Sequence, residues 1–241
     1  MTLGIFDSGE GGNNLLRHAR RRNKRDDILF LCDRANSPYG TKRDFELSGI
    51  VNENIRLLKA MGAEKIIIAC CTACTVYDRL TDPEGVLPIL KETARAAEKI
   101  AERKIAVIAT GRTVASHAFK NAINGEVTEI EAQPLVGIID GGECDAHHSP
   151  ATVGILRDIL KKSEGADTLI LGCTHFSSLK GLCRKIGREY GIRHIVDSAR
   201  VGASLIPRAT GDGGIDYIIK TGQLHIISDG RQSPRTAKTN G

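Results

Sequence analysis

Short apolar runs and helix-period patterns take turns along most of the chain. Leu3 to Phe6, Ile28 to Leu31, Ile105 to Ile108 and Ile195 to Val196 are too short for helices, and their composition suits buried parallel strands. Between them, apolar residues recur three or four apart. Leu47, Val51, Ile55 and Leu58 mark one helix, Val153, Leu156 and Leu160 another, and Leu179, Cys183 and Ile186 a third. Helices are also expected near Asn14 to Arg22 and from about Glu92 to Arg103, and a strand near Leu135 to Ile139 that ends at Asp140, Gly141 and Gly142.

Two stretches match each other. Gly62 to Thr72 reads GAEKIIIACCT and Gly165 to His175 reads GADTLILGCTH, at an offset of 103 (173 − 70 = 103). In each, a glycine suited to end a helix in the left-handed conformation is followed by a polar pair and an apolar run that stops at a cysteine, Cys70 or Cys173. Ligands in open parallel sheets gather beyond the carboxyl ends of such strands. The repeat predicts an α/β fold made of two pseudo-symmetric parallel-sheet domains, with a thiol on each wall of the cleft between them. Residues 1–96 form the first domain, completed by 207–228, and 97–206 form the second. Residues 229–241 are polar, lack apolar periodicity and are expected to be a disordered tail.

Composition narrows the classes. With 41% hydrophobic residues, 4% aromatic and no Trp, the 241-residue chain can bury an aliphatic core but is poorly equipped to stack on bases, so no nucleic-acid partner is expected. The net charge of +5 includes a cluster from Arg20 to Arg25, read as a solvated helix end, with an anion-attracting surface as the lesser alternative. No apolar run nears the roughly eighteen residues needed to span a bilayer, and no leader-like segment opens the chain. A cytoplasmic protein without a membrane partner is expected. A homodimer is left open.

The loops hold the candidate chemistry. Leu3 to Phe6 runs into Asp7, Ser8, Gly9, Glu10, Gly11 and Gly12, a strand-to-helix turn able to surround an anionic group, though it is neither a P-loop nor a dinucleotide fingerprint. Thr110, Gly111, Arg112 and Thr113 echo it, with hydroxyls in place of the carboxylate. Pro38 and Gly40 make a turn expected to present Tyr39 rather than bury it. Seven cysteines, an odd number, point to free thiols rather than a disulfide framework. Cys32 and Cys183 sit in apolar patterns as core residues, and Cys144 has no assignable role. A thiol at the start of a helix is favoured as its anion, so Cys70 is a plausible thiolate.

Paired strand-end thiols allow redox pairing, metal binding by Cys70, Cys74, Cys173 and His175, or proton transfer on two faces of one carbon. The cysteine spacings suit the first two poorly. Symmetry favours the third, because stereochemical inversion needs an acid on one face and a base on the other.

The segments GIFDSGEGG (Gly4 to Gly12), ANSPYGTK (Ala35 to Lys42), ACCTA (Ala69 to Ala73), IAT (Ile108 to Thr110), LGCTH (Leu171 to His175) and VDSA (Val196 to Ala199) resemble the glutamate racemase family, within the aspartate/glutamate racemase superfamily. The resemblance implies a cofactor-independent isomerase, with no metal, that interconverts L- and D-glutamate and supplies D-glutamate for peptidoglycan. It implies Cys70 and Cys173 as the acid/base thiols, Asp7 assisting Cys70, and His175 assisting Cys173. Ser8, Tyr39, Gly40, Thr72 and Thr174 match substrate-holding positions, with Asp7 and His175 also at the substrate. Cys71 stands where the family has an asparagine that contributes an amide to the substrate. Phe176 and Ser177 replace a Tyr-Pro pair, Asp140 falls near the family's glutamate, and a polar tail follows Thr221 and Gly222 where a helix is expected. Two alternatives stay open: a racemase of aspartate or another amino acid, and a weakly active or inactive homologue that binds an acidic ligand or a protein partner.

Overall fold

The apolar runs pair side by side in parallel, as strands buried on both faces do. A computed structural model describes residues 1–140 and 149–229. The larger sheet contains β1 (Thr2–Asp7), β2 (Asp27–Asp33), β3 (Lys65–Ile68), β4 (Val86–Pro88), β9 (Ile215–Lys220) and β10 (Leu224–Ser228), in the order β10-β9-β2-β1-β3-β4. The smaller contains β5 (Lys104–Ala109), β6 (Val127–Glu131), β7 (Ala166–Leu171) and β8 (His194–Asp197), in the order β6-β5-β7-β8. Four consecutive strands thus adopt one order twice, β2-β1-β3-β4 and β6-β5-β7-β8. All these pairings are parallel except β10 on β9.

The two sheets share a core. One cluster of buried side chains runs from Ile5, Phe30 and Ile67 in the larger sheet to Val107, Ile170 and Val196 in the smaller. Helices α1 (Gly12–Arg22), α4 (Ile89–Glu98) and α10 (Ser198–Ser204) bridge the halves, with α10 packed on both α1 and α4, and α4 in turn against β7 and β8. The other face of the smaller sheet has its own core, where Leu135, Leu156, Leu169 and Phe176 are buried with α7 (Gln133–Asp140), α8 (Pro150–Leu160) and α9 (Lys180–Gly187). The remaining helices are α2 (Asp44–Ala60), α3 (Cys71–Cys74), α5 (Gly111–Ala115) and α6 (Ala118–Ala122). Gly62 (φ 92°) and Gly165 (φ 81°) adopt the left-handed conformation that turns the chain from a helix into β3 and β7, as the repeat predicts.

Local pattern misleads in several places. The apolar run Leu135 to Ile139 is part of helix α7, not a strand; a short apolar run fits either, and the packing of Leu135 in the second core decides it. The strand in that region is β6, an edge strand in which only Ile130 is buried, so its sequence shows little apolar pattern. Helix α4 ends at Glu98 rather than near Arg103, because its buried stripe finishes at Ala97 and Ile100 is exposed. Val201 lies in α10, and the chain then returns as β9 beside β2. After Thr221 and Gly222 comes edge strand β10, exposed along its whole length. Asp229 donates its N–H to Ile215 O at 3.1 Å, so it is held against β9. Cys144, with residues 141–148, and the tail from 230 to 241 lie outside the described residues.

Candidate active site

The chain crosses from β2 over β1 to reach β3, and from β6 over β5 to reach β7. Such reversals of strand order open a crevice at the carboxyl ends of the strands. The loops after β1, β3, β5 and β7 converge there on one cavity, lined among others by Asp7, Ser8, Cys70, Thr110, Cys173 and His175.

Asp7 ends β1 and is fully buried. Its Oδ1 accepts from the Gly9 N–H at 3.1 Å and from Ser8 Oγ at 3.5 Å, while Oδ2 accepts from Thr174 Oγ1 of the other half at 3.0 Å. Burial pushes this carboxyl above its ordinary range, and the neighbouring His175, the Gly9 N–H and the Thr174 and Ser8 hydroxyls oppose that shift. Thr174 therefore ties the first loop to the second.

Cys70 caps α3 from the end of β3, with its Sγ 3.4 Å from Ser8 Oγ. Its thiol is pushed up to about 12, first by burial and then by Asp7, against help from Ser8 and the Ala73 N–H. This corrects the expectation of a thiolate. The helix that follows spans only four residues, and its dipole is too small to offset the loss of hydration at a site 7% exposed. Cys173 follows β7 and places Sγ 3.4 Å from His175 Nδ1. Gly11 makes room for that pair: a Cβ there would lie 2.5 Å from both His175 Nδ1 and Thr174 Oγ1.

The repeat has an uneven chemistry. The offset of 103 carries Asp7 to Thr110 and Thr72 to His175. Across the two walls, one facing pair is therefore Asp7 and His175, and the other a neutral hydroxyl cluster, with Thr72 Oγ1 3.0 Å from Thr110 Oγ1 and 3.2 Å from Thr113 Oγ1. Beside the cavity, Arg112 on α5 donates to Lys42 O at 2.5 Å and to Asp44 Oδ1 at 2.6 Å, and Arg79 holds the other Asp44 oxygen.

Tyr39 and Gly40 line the cavity, but Tyr39 is 2% exposed rather than presented on a turn. Its hydroxyl donates to the buried Asp33 carboxylate at 2.8 Å and accepts from Asn54 at 2.9 Å. Burial and the Asp33 charge hold it protonated. Cys71, expected at the substrate, does not line the cavity. It is buried in the first turn of α3, with its thiol held well above the ordinary value by burial and by Cys74, Cys173 and Cys70, while Ser198 opposes. It lies three residues past the end of β3, between Cys70 and Thr72, which both line the cavity. A thiol at this position cannot make the hydrogen bonds of the amide that the resemblance places there.

Cys74 likewise turns inward, towards Ile68 O at 3.6 Å, and all six described cysteines are free. Among the described residues no three His, Cys, Asp or Glu side chains are disposed around a metal position, and no lysine lines the cavity to anchor an aldehyde cofactor. Sequence reasoning missed Gln133 and Val136, which reach the cavity from α7, the segment read as a strand. It noticed Thr110 only as an echo of Asp7, and the same offset of 103 was the signal that could have placed it at the site.

The cavity offers hydroxyls for carboxylates, a carboxylate for an ammonium group, and two thiols facing a shared space. Residues 13–206 match the model of the Asp/Glu/hydantoin racemase family. A glutamate racemase of Neisseria meningitidis is 32% identical over 88% of this chain and 81% of its own length. Among solved structures, the glutamate racemase of Thermus thermophilus, in complex with β-chloro-D-alanine, superposes with a TM-score of 0.77 at 27% identity, covering 90% of this chain and 87% of that one. The glutamate racemase of Aquifex pyrophilus superposes with a TM-score of 0.70 at 31% identity, covering 85% and 82%.

Proposed function

The chain belongs to the Asp/Glu/hydantoin racemase family of isomerases, and from that premise we propose that it interconverts L- and D-glutamate by proton transfer between two thiols on opposite faces of the α-carbon. The observation that carries the reading is that Cys70 and Cys173, at equivalent positions of a duplicated fold, open on the same cavity.

In the proposed cycle one cysteine, as thiolate, takes the α-proton, and the other, as thiol, returns a proton to the opposite face. Atoms balance with no other reagent. The two cysteines end with their protonation states exchanged, and Asp7 beside Cys70 and His175 beside Cys173 reset them. A thiol held near 12 is costly to ionise: at pH 7 the five-unit gap corresponds to about 7 kcal/mol. Substrate supplies part of the remedy. Its ammonium group beside Asp7 cancels the second-largest cause of the Cys70 shift, and closure over the substrate replaces water with the hydroxyls of Ser8, Thr72 and Thr174. The hydroxyls of Ser8 and Thr72, with backbone N–H groups near Gly40, hold the carboxylates, while the Thr174 hydroxyl and the Gly9 N–H keep Asp7 in place. The developing carbanion is stabilised in this dry site, and D-glutamate so formed serves peptidoglycan synthesis.

Incubation of the purified protein with L- and D-glutamate in deuterated water tests the proposal. Deuterium should enter the α-position of both enantiomers, with polarimetry converging on the racemate. Exchange with aspartate instead of glutamate would move the substrate assignment and keep the thiol chemistry. Exchange with neither would leave the chain a binding homologue.

A further inference from the structure

Away from the catalytic cavity, the carboxyl-terminal end of α1 and the segment after α10 border an open, shallow, strongly basic surface. A groove of about 360 Å3 lies between His18, Arg21, Arg22, Arg200 and Arg208, and a second compartment of about 570 Å3 continues past Lys24 and Arg25. Arg21, Arg22 and Arg208 form the wall common to both. The surface shares no residue with the catalytic cavity.

The charges are held together by the backbone. Ala209 donates its N–H to Arg22 O at 3.2 Å, Lys24 to Ala209 O at 2.8 Å, and Gly213 to Lys24 O at 2.7 Å. These bonds fix Arg208 beside Arg21 and Arg22, and Arg22 also donates Nε to Ile206 O at 2.5 Å. Of the cations lining the two compartments, Arg25 pairs with Asp26 at 3.2 Å. Asp197, the acid whose charge acts on His18, is already engaged by Ser177, Lys180 and the Ala199 N–H. His18 registers the imbalance: burial depresses its pKa, Asp197 opposes, and Arg200, Arg21 and Lys180 depress it further. Like charges gathered in a concavity focus a positive potential that a matching anion relieves.

We infer that this groove is a binding site for an oligophosphate, a ligand with two or more linked phosphoryl groups. The planar guanidinium fork matches phosphate oxygens in pairs, and two joined compartments with a common arginine wall suit adjacent phosphoryl groups better than a lone carboxylate. No Phe, Tyr or Trp lines either compartment and His18 is the one ring at the first, so recognition rests mainly on the phosphates. The same absence, together with a bounded groove instead of an extended stripe, argues against a nucleic-acid strand. A bound oligophosphate would tie α1, which starts at the Asp7 loop, to the segment after α10.

Calorimetric titration of the full chain with inorganic pyrophosphate, tripolyphosphate and ADP, at about 0.15 M salt so that diffuse attraction is screened, tests the inference. Pyrophosphate should bind more tightly than sulfate or acetate at equal ionic strength. Equal affinity for pyrophosphate and ADP assigns the site to the oligophosphate alone, and tighter ADP assigns it to a nucleotide carrier; either supports the site. Arg21→Glu and Arg208→Glu, at exposed positions, should each weaken binding by about tenfold or more. Arg200→Gln should weaken it less and serves as a second variant if either reversal disturbs folding. Absence of pyrophosphate binding, binding unchanged in all three variants, or binding of duplex DNA that pyrophosphate does not compete away would overturn the proposal. Because the readout is binding, its failure is separate from any failure of racemisation.

Discussion

Asp7→Asn provides the sharpest test of the electrostatics at the first thiol, because it should make Cys70 more reactive while making the enzyme worse. Ser8 Oγ lies 3.5 Å from Asp7 Oδ1 and 3.4 Å from Cys70 Sγ, so carboxylate and sulfur are separated by no more than the sum of those distances, about 6.9 Å. Two unit charges about 7 Å apart at an effective dielectric of about 20 repel by about 2.4 kcal/mol, just under two pKa units. Removing the charge should bring Cys70 from about 12 down to about 10, with burial, the larger cause, keeping it above an ordinary thiol. Thiolate becomes more abundant but less nucleophilic, and a Brønsted slope near 0.45 leaves a net gain of about tenfold in alkylation rate at pH 8. The assay is limited iodoacetamide labelling of the empty enzyme, with peptide mass spectrometry separating Cys70 from Cys71 and Cys74. As pH falls through the raised pKa of Asp7, its carboxylate becomes neutral and the difference between wild type and variant should vanish. Racemisation by the variant should fall, since the amide can neither carry a proton nor balance the substrate ammonium. Unchanged or slower labelling of Cys70 would refute the account of its pKa.

Three further outcomes are expected. Cys70→Ser and Cys173→Ser should each abolish racemisation yet keep elimination of chloride from opposite enantiomers of β-chloroalanine, followed by chiral chromatography; loss of the same enantiomer in both would rule out paired bases. Tyr39→Phe removes the hydroxyl that links buried Asp33 and Asn54 and should lower stability by about 1–3 kcal/mol, read as a drop in urea midpoint at unchanged slope. Gly11→Ala, at a helical φ of −54°, meets no backbone strain but pushes on His175 and Thr174. It should cost about 1–3 kcal/mol and impair turnover more than folding, so a variant with wild-type turnover would show that His175 needs no fixed seat.

The sequence alone determined the features set by local spacing. A left-handed glycine, an apolar run and a terminal cysteine are adjacent in the chain, so the repeat at Gly62 and Gly165 shows where two strands end and which thiols stand there. Once two such strands belong to parallel sheets, the location of the site beyond their carboxyl ends follows from the geometry of crossover connections. Tertiary structure decided whatever depends on residues far apart in the chain. Leu135 to Ile139 could have been a strand or a helix until its packing partners were present. Tyr39 sits in a turn sequence, yet Asp33 and Asn54 draw its hydroxyl inward. Thr174 reaches Asp7 across 167 residues, and Gln133 and Val136 reach the cavity from a helix with no motif of its own. The pKa of Cys70 illustrates the division most plainly. Its place at a helix start is local and favours the anion, but burial is a property of the assembled cleft, and the loss of water outweighs one short helical turn.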